Sequence, residues 1–253
     1  MSADIPIVSV VIPCYNLGDY IVEAVESVLA QTHGSYEIVI VDDGSDDHDT
    51  VVKLDELAAK GLTVLRTINR GVAAARNLGI QAAKGRYILP LDADDLIESH
   101  YLERAVRLLE ENSEIRIVCC DAELFGELSG IRRLPDFSKE RLLSENIIFA
   151  SAMFRKMDWQ AVGGYCTALK FGWEDWDFWI AMTKQRAKVV CIPEPLLKYR
   201  IRSGSRDRSM LLWHKLSMLL LILVRHCICY LKSPLSLINL IANARPSLDG
   251  RKP

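Results

Sequence analysis

Between Ile7 and Leu91 four short apolar runs alternate with three segments of helical periodicity, and no other feature constrains the fold as tightly. Ile7-Val8-Ser9-Val10-Val11-Ile12 is a nearly continuous β-branched run, as expected of a strand buried on both faces. It stops at Pro13-Cys14-Tyr15-Asn16, and the next segment sets Ile21, Ala24, Val25, Val28 and Leu29 on one helical face. Glu37 to Val41 repeats the strand pattern and ends in Asp42-Asp43-Gly44-Ser45; the helix after it closes at Gly61. Leu62 to Leu65 is the third run. An Ala-rich helix from Val72 to Lys84, closed by Gly85, separates it from the fourth, Tyr87 to Leu91. Strands alternating with helices predict right-handed βαβ units on a parallel sheet. Tyr15, Asp43, Asp92 and Asp94 stand where strands end. In open α/β sheets the ligand crevice lies outside those ends, so these turns are expected to converge.

The fourth run enters Asp92-Ala93-Asp94-Asp95, three carboxylates within four positions. Such acids repel one another unless a cation sits among them. An Asp-x-Asp turn at a strand end aims both side chains at one point, because positions i and i+2 share a face. Hard divalent ions, Mg²⁺ or Mn²⁺, favour one or two carboxylates completed by phosphate oxygens. The competing reading is a solvated loop in which Asp95 caps the following helix. No Gly-x-Gly-x-x-Gly follows the first strand and no Gly-Lys-Ser/Thr occurs, so dinucleotide and P-loop readings lack their glycines.

Further on, Tyr101 to Glu111 reads as a helix, Ile115 to Cys120 as a strand and Gly126 to Phe137 as a loop. Phe171-Gly172-Trp173-Glu174-Asp175-Trp176-Asp177-Phe178-Trp179 packs three Trp and three acids into nine residues. If Trp176, Trp179 and Ile180 share a helix face, Asp175 lies near that helix's N-terminus. A carboxylate against indole rings has its pKa raised and suits a general base. Trp173 and Trp176 would also make platforms for sugar rings. The alternative is an aromatic core helix with an acidic first turn.

These motifs, taken in order, resemble the pattern of a family 2 glycosyltransferase with the GT-A fold, the type that builds bacterial cell-surface glycans. Val11-x-Pro13-x-Tyr15-Asn16, Val41-Asp42-Asp43-Gly44-Ser45, Gly71-x-x-x-Ala75-Arg76-Asn77, Leu91-Asp92-Ala93-Asp94-Asp95, Val162-Gly163-Gly164-Tyr165 and Glu174-Asp175-Trp176-Asp177 carry the likeness, over roughly Pro6 to Ser205. It implies an α/β fold with a Rossmann-like, mostly parallel sheet flanked by helices. A nucleotide-sugar half would cover about 1–97 and an acceptor half about 98–205. It also implies inverting transfer of a sugar from a nucleotide diphosphate, commonly UDP, to an acceptor hydroxyl. On this reading Pro13 and Tyr15 line the base pocket, Asp43 accepts from the base, and Arg76 lies near the nucleotide. Asp92 holds the ribose or a metal-bound water, Asp94 ligates Mn²⁺ or Mg²⁺, Asp175 is the base, and Glu174 contacts acceptor or base. Asp177 has a duller role, on the helix surface or in a hydrogen bond within the fold. Many relatives carry Tyr-Arg-x-His after the last strand. Here Lys198-Tyr199-Arg200-Ile201-Arg202 puts Arg202 in that place, where it could grip the diphosphate as a bidentate donor but not ligate a metal.

The net charge of −2 is unevenly spread. Lys198 to Pro253 holds 11 Lys and Arg against two acids, a net of +9, leaving −11 on the rest. Residues 206–253 read as a basic, amphipathic, Leu-rich helical tail. Its run Leu216 to Val224 is too short to span a bilayer but suited to an anionic membrane surface, where a lipid-linked acceptor would lie. The alternatives are packing on the catalytic domain and a homodimer interface. The polar stretch from Ser203 to Ser209 could order over the diphosphate. Nucleic acid is not the expected partner, since Leu-rich segments rather than exposed aromatics interrupt the basic residues. Seven cysteines without a Cys-x-x-Cys pair read as buried thiols of a cytosolic protein, peripheral at most to the membrane's cytosolic face. Two rival functions stand beside the transferase: a nucleotide-sugar binding or scaffold protein that kept the fold without turnover, and nucleotidyl transfer. The latter needs a Gly-rich basic loop that Val10 to Asn16 lacks.

Overall fold

The computed structural model describes residues 5–184, 187–203 and 210–248, so most of the Ser203–Ser209 stretch lies outside the described residues. Strands β1 (Val8–Cys14), β2 (Tyr36–Asp42), β3 (Thr63–Arg66) and β4 (Tyr87–Pro90) are the four apolar runs. Helices α1 (Gly18–Leu29), α2 (His48–Ala59) and α3 (Val72–Ala82) join them. The strands pair in parallel in the order β3-β2-β1-β4. Val8, Val10 and Ile12 face a core shared with Ile21 and Leu54, whereas Val11 and Ile88 face a second core with Ile80 and Phe178. This is the alternation of a sheet covered on both sides. Gly79 brings α3 onto the sheet, since a Cβ there would stand 2.5 Å from Cγ1 of Val11.

Past β4 the sheet changes direction. β8 (Met153–Arg155) runs antiparallel to both β4 and β6 (Ile115–Gly126), and β6 pairs in parallel with β9 (Lys188–Ile201). β5 (Leu96–Ile97) closes the order β3-β2-β1-β4-β8-β6-β9-β5 by pairing with β9. β5 follows β4 after five residues yet occupies the far end of that order, so the sheet curls back on itself.

The remaining helices are α4 (Tyr101–Glu111), α5 (Lys139–Ser144), α6 (Lys156–Val162), α7 (Glu174–Met182), α8 (Leu212–Arg225), α9 (Cys227–Lys232) and α10 (Pro234–Leu248). Three expectations need amending. β6 continues to Gly126, and the expected loop after it holds β7 (Gly130–Arg132), paired on β6. Gly85 does not cap α3, which ends at Ala82; its amide donates to Oγ of Ser9. Of the cysteines, Cys14, Cys119 and Cys120 are buried but Cys227 is exposed.

One face of the tail packs on the rest of the chain. Met218, Ile222, Tyr230 and Leu240 are buried in the core beneath α7, and the Tyr230 hydroxyl donates to the carbonyl of Leu143 at 2.9 Å. Among the described residues no helix is long and apolar enough to cross a membrane.

Candidate active site

The turns do converge. Pro13 stands near the end of β1, Tyr15, Asp43, Asp92 and Asp94 follow the parallel strands β1, β2 and β4, and Arg76 points in from α3; all six line one open cavity of about 550 Å³. Trp173, Glu174, Asp175 and Trp176 at the start of α7 line it as well, and so does Arg202 after β9, beside Asp94.

On the strand wall, acids meet guanidinium groups. Arg76, only 1% exposed, donates to Oδ1 of Asp92 at 2.5 Å and to Oε1 of Glu174 at 2.9 Å. The two carboxylates outweigh its burial and hold it protonated. Nε of Arg202 donates to Oδ2 of Asp94 at 2.6 Å. Asp95 is not a helix cap. It is buried, accepts from the Arg200 amide at 2.9 Å, and its carboxyl is pushed well above the usual range by burial and by the charges of Asp92 and Asp94. The two oxygens of Asp43 accept from the amides of Arg70 and Gly71, fixing the turn that starts α3. Tyr15 is 42% exposed, a ring open to stacking.

The helix wall is different. Trp173 precedes α7 at φ 63°, a left-handed conformation costly for a bulky residue and met chiefly at functional sites. Asp175 is half-buried, and its oxygens accept from Nδ2 of Asn146 at 2.9 Å and from the Trp176 amide at 2.8 Å. Burial, then the charge of Glu174, pushes its carboxyl up to about 6, against the opposing pull of Arg76 and these hydrogen bonds. Glu174 itself is 1% exposed and held by Arg76, an anchor rather than a group open to an acceptor. Trp176 is sunk in the core with its indole N–H on the carbonyl of Leu142, whereas Trp173 is only partly buried. Asp177 is not on the surface. Burial would raise its carboxyl, but hydrogen bonds from His226 and Arg225 prevail and hold it below the usual range.

The Gly163-Gly164-Tyr165 motif has a structural reason. Both glycines have positive φ, and a Cβ on Gly164 would stand 2.7 Å from Oδ1 of Asn77. Asn77 brackets Tyr165, accepting from its amide at 2.9 Å and donating to its carbonyl at 2.8 Å. The Tyr165 ring then stacks on Phe178 and lies under the Arg76 guanidinium. The motif thus locks α3, which carries Arg76, to α7, which carries Asp175.

The sequence expectation that an acceptor pocket is built from the stretch Phe125 to Ala152 names no contacts; Arg132, Asn146, Ile147, Ile148 and Phe149 of that stretch line the cavity, as do Leu219 and Leu240, which no motif announces. A divalent cation fits the strand wall in part. Asp92 and Asp94 each keep one oxygen that accepts no hydrogen bond among the described residues. Among the described residues no three His, Cys, Asp or Glu side chains converge as a complete ligand set. Such an ion would therefore need substrate oxygens as well.

A curled α/β sheet with its acids at the carboxyl ends of the parallel strands is the GT-A architecture. Solved chains share it: Staphylococcus aureus TarS superposes with a TM-score of 0.66 at 20% identity, over 87% of this chain and 71% of that one. Mannosyltransferase PcManGT from Pyrobaculum calidifontis gives a TM-score of 0.67 at 21% identity, over 98% and 77%. The chain belongs to glycosyl transferase family 2, whose model matches residues 9–168. An uncharacterised glycosyltransferase of Rickettsia felis is 46% identical over 110 residues, 43% of this chain but only 18% of its own length. Another, of Rickettsia typhi, is 30% identical over 219 residues, 81% of this chain and 67% of its own length.

Proposed function

We propose that the protein transfers one sugar from a nucleotide-diphosphate sugar, UDP-linked, to an acceptor hydroxyl with inversion, in glycan or polysaccharide biosynthesis. The observation that carries this is Asp175: a carboxylate at the cavity, held by neutral donors, with a pKa near 6 and facing a wall of acids and arginines. A carboxylate so tuned accepts a proton near neutral pH. As the acceptor oxygen attacks the anomeric carbon, its proton passes to Asp175 and the diphosphate leaves from the opposite face. One displacement without a covalent nucleophile inverts the centre.

Tyr15 stacks on the nucleobase, Asp43 and Pro13 shape its pocket, and Arg76 keeps Asp92 turned toward the ribose. Asp94, with Asp92, would hold Mn²⁺ or Mg²⁺. When bound, the ion offsets charge gathering on the departing diphosphate. Arg202 lies beside Asp94 and extends a second positive group to the diphosphate. Glu174 anchors Arg76 and raises the Asp175 pKa through its charge. Support comes from the relatives of shape: TarS has been solved with UDP and with UDP-GlcNAc, and PcManGT with GDP-Man and Mn²⁺.

The test is a calorimetric titration with UDP, GDP, CDP and dTDP, each with and without Mn²⁺. One nucleotide should bind preferentially and more tightly with Mn²⁺. If none binds under either condition, the scaffold reading replaces this one.

A further inference from the structure

Tyr15 presents an open ring to the cavity, yet no side chain holds that ring. Among the described residues its hydroxyl makes no hydrogen bond and its ring meets no other ring or guanidinium group. Its aim is therefore set by its backbone, and the next residue fixes that backbone. Asn16 stands at φ 53°, in the left-handed region that Asn tolerates better than most side chains.

The Asn16 carboxamide uses both of its ends. Nδ2 donates to Oδ1 of Asp46 at 2.6 Å, while Oδ1 accepts from the amides of Asp46 and Asp47, both at 3.1 Å. The Asn16 amide donates to Oγ of Ser45 at 3.1 Å. These bonds clip the turn after β1 to the segment that leads from β2 into α2, 29 to 31 residues further on. That anchor has supports of its own. The Ser45 amide donates to Oδ1 of Asp42 at 2.8 Å, and Oδ2 of Asp47 accepts from the amide and the hydroxyl of Thr50. The Thr50 hydroxyl in turn accepts from the Gly18 amide at 2.7 Å, so the chain is pinned again two residues past Asn16.

We propose that Asn16 is a positioning residue for nucleotide binding, whose carboxamide clip holds the Tyr15 ring ready over the cavity. The inference rests on the reading of Tyr15 as the ring that stacks on the nucleobase. A ring free to wander must be ordered when a base lands on it, and a ring already held avoids that cost. Asn16 acts through the Tyr15 backbone and needs no contact with the ligand. Both ends of the carboxamide matter: an aspartate there would lose the donor and set its charge against Asp46. A glycine would reach the same φ without the bonds.

The experiment is a calorimetric titration of UDP, with Mn²⁺ present, into the unaltered chain, Tyr15→Ala, Asn16→Gly and the double variant. Tyr15→Ala should weaken binding by roughly five- to a hundredfold, the usual contribution of one stacked base. Asn16→Gly keeps the left-handed turn and removes the clip. Since these bonds are open to water, it should weaken binding by roughly three- to tenfold. With Tyr15 already replaced by alanine, Asn16→Gly should cost less than about twofold more, because no ring is left to position. A role in folding alone would make the two losses multiply. Losses that multiply, or an Asn16→Gly chain that binds UDP as tightly as the unaltered one, overturn the proposal and leave Tyr15 in its role. If Tyr15→Ala costs nothing, or UDP does not bind the unaltered chain, the nucleobase reading fails and this proposal falls with it.

Discussion

The two walls of the cavity treat their carboxylates in opposite ways. On the strand wall Asp92 and Asp94 each meet a guanidinium, from Arg76 and Arg202. On the helix wall Asp175 is held by an amide side chain and a backbone N–H, and burial lifts it to about 6. A carboxylate paired with a fixed cation is suited to holding a ligand by charge. One held by neutral donors beside another acid is suited to taking a proton. The contrast separates binding from chemistry, and substitutions can break it.

The largest effect should come from Asp175→Asn, which removes the proton acceptor and keeps the shape. Turnover should fall by about 10²–10⁴-fold while nucleotide affinity, read by calorimetry, stays nearly unchanged. A large loss of affinity instead would make Asp175 structural. Arg76→Met should strand Glu174 and Asp92 without their shared cation, at a cost of about 3–5 kcal/mol, seen as a lower thermal midpoint. Asp94→Asn should weaken Mn²⁺-dependent nucleotide binding by at least roughly tenfold; an unchanged metal titration would take Asp94 off that wall. The smallest effect is the most specific. Asp175 must be ionised to accept a proton, so the rate should fall as pH drops through about 6. Asn146→Ala removes a donor to the ionised form and should move that limb upward by about half to one pH unit.

Legibility followed the same division. Strands β1, β2 and β4 and the turns after them could be read because those runs are buried along most of their length and each turn carries a polar residue the core cannot hold. α4 matched its expected bounds for a related reason, an apolar stripe on one face. β7 escaped notice because its three residues are all exposed and leave no alternation to detect. Asn146 was illegible because it lies in a loop and its partner is 29 residues away on α7. Glu174 and Trp176 were legible as a motif but not as buried anchors, since α7 is apolar on nearly every side and periodicity cannot rank its faces. The tail posed a choice between packing on its own domain and meeting something outside. Met218, Ile222, Tyr230 and Leu240 take the first of these.

That tail also sets a timetable. Asp177 is fully buried, and its partners Arg225 and His226 lie 48 and 49 residues further along the chain. Leu219 and Leu240, which finish the cavity wall, come later than all six motifs. A ribosome therefore delivers the whole catalytic vocabulary before the part that lets α7 settle, since a buried carboxylate without its hydrogen-bond partners is strongly disfavoured. Until those last helices arrive, the nascent chain holds every motif and an unfinished chamber.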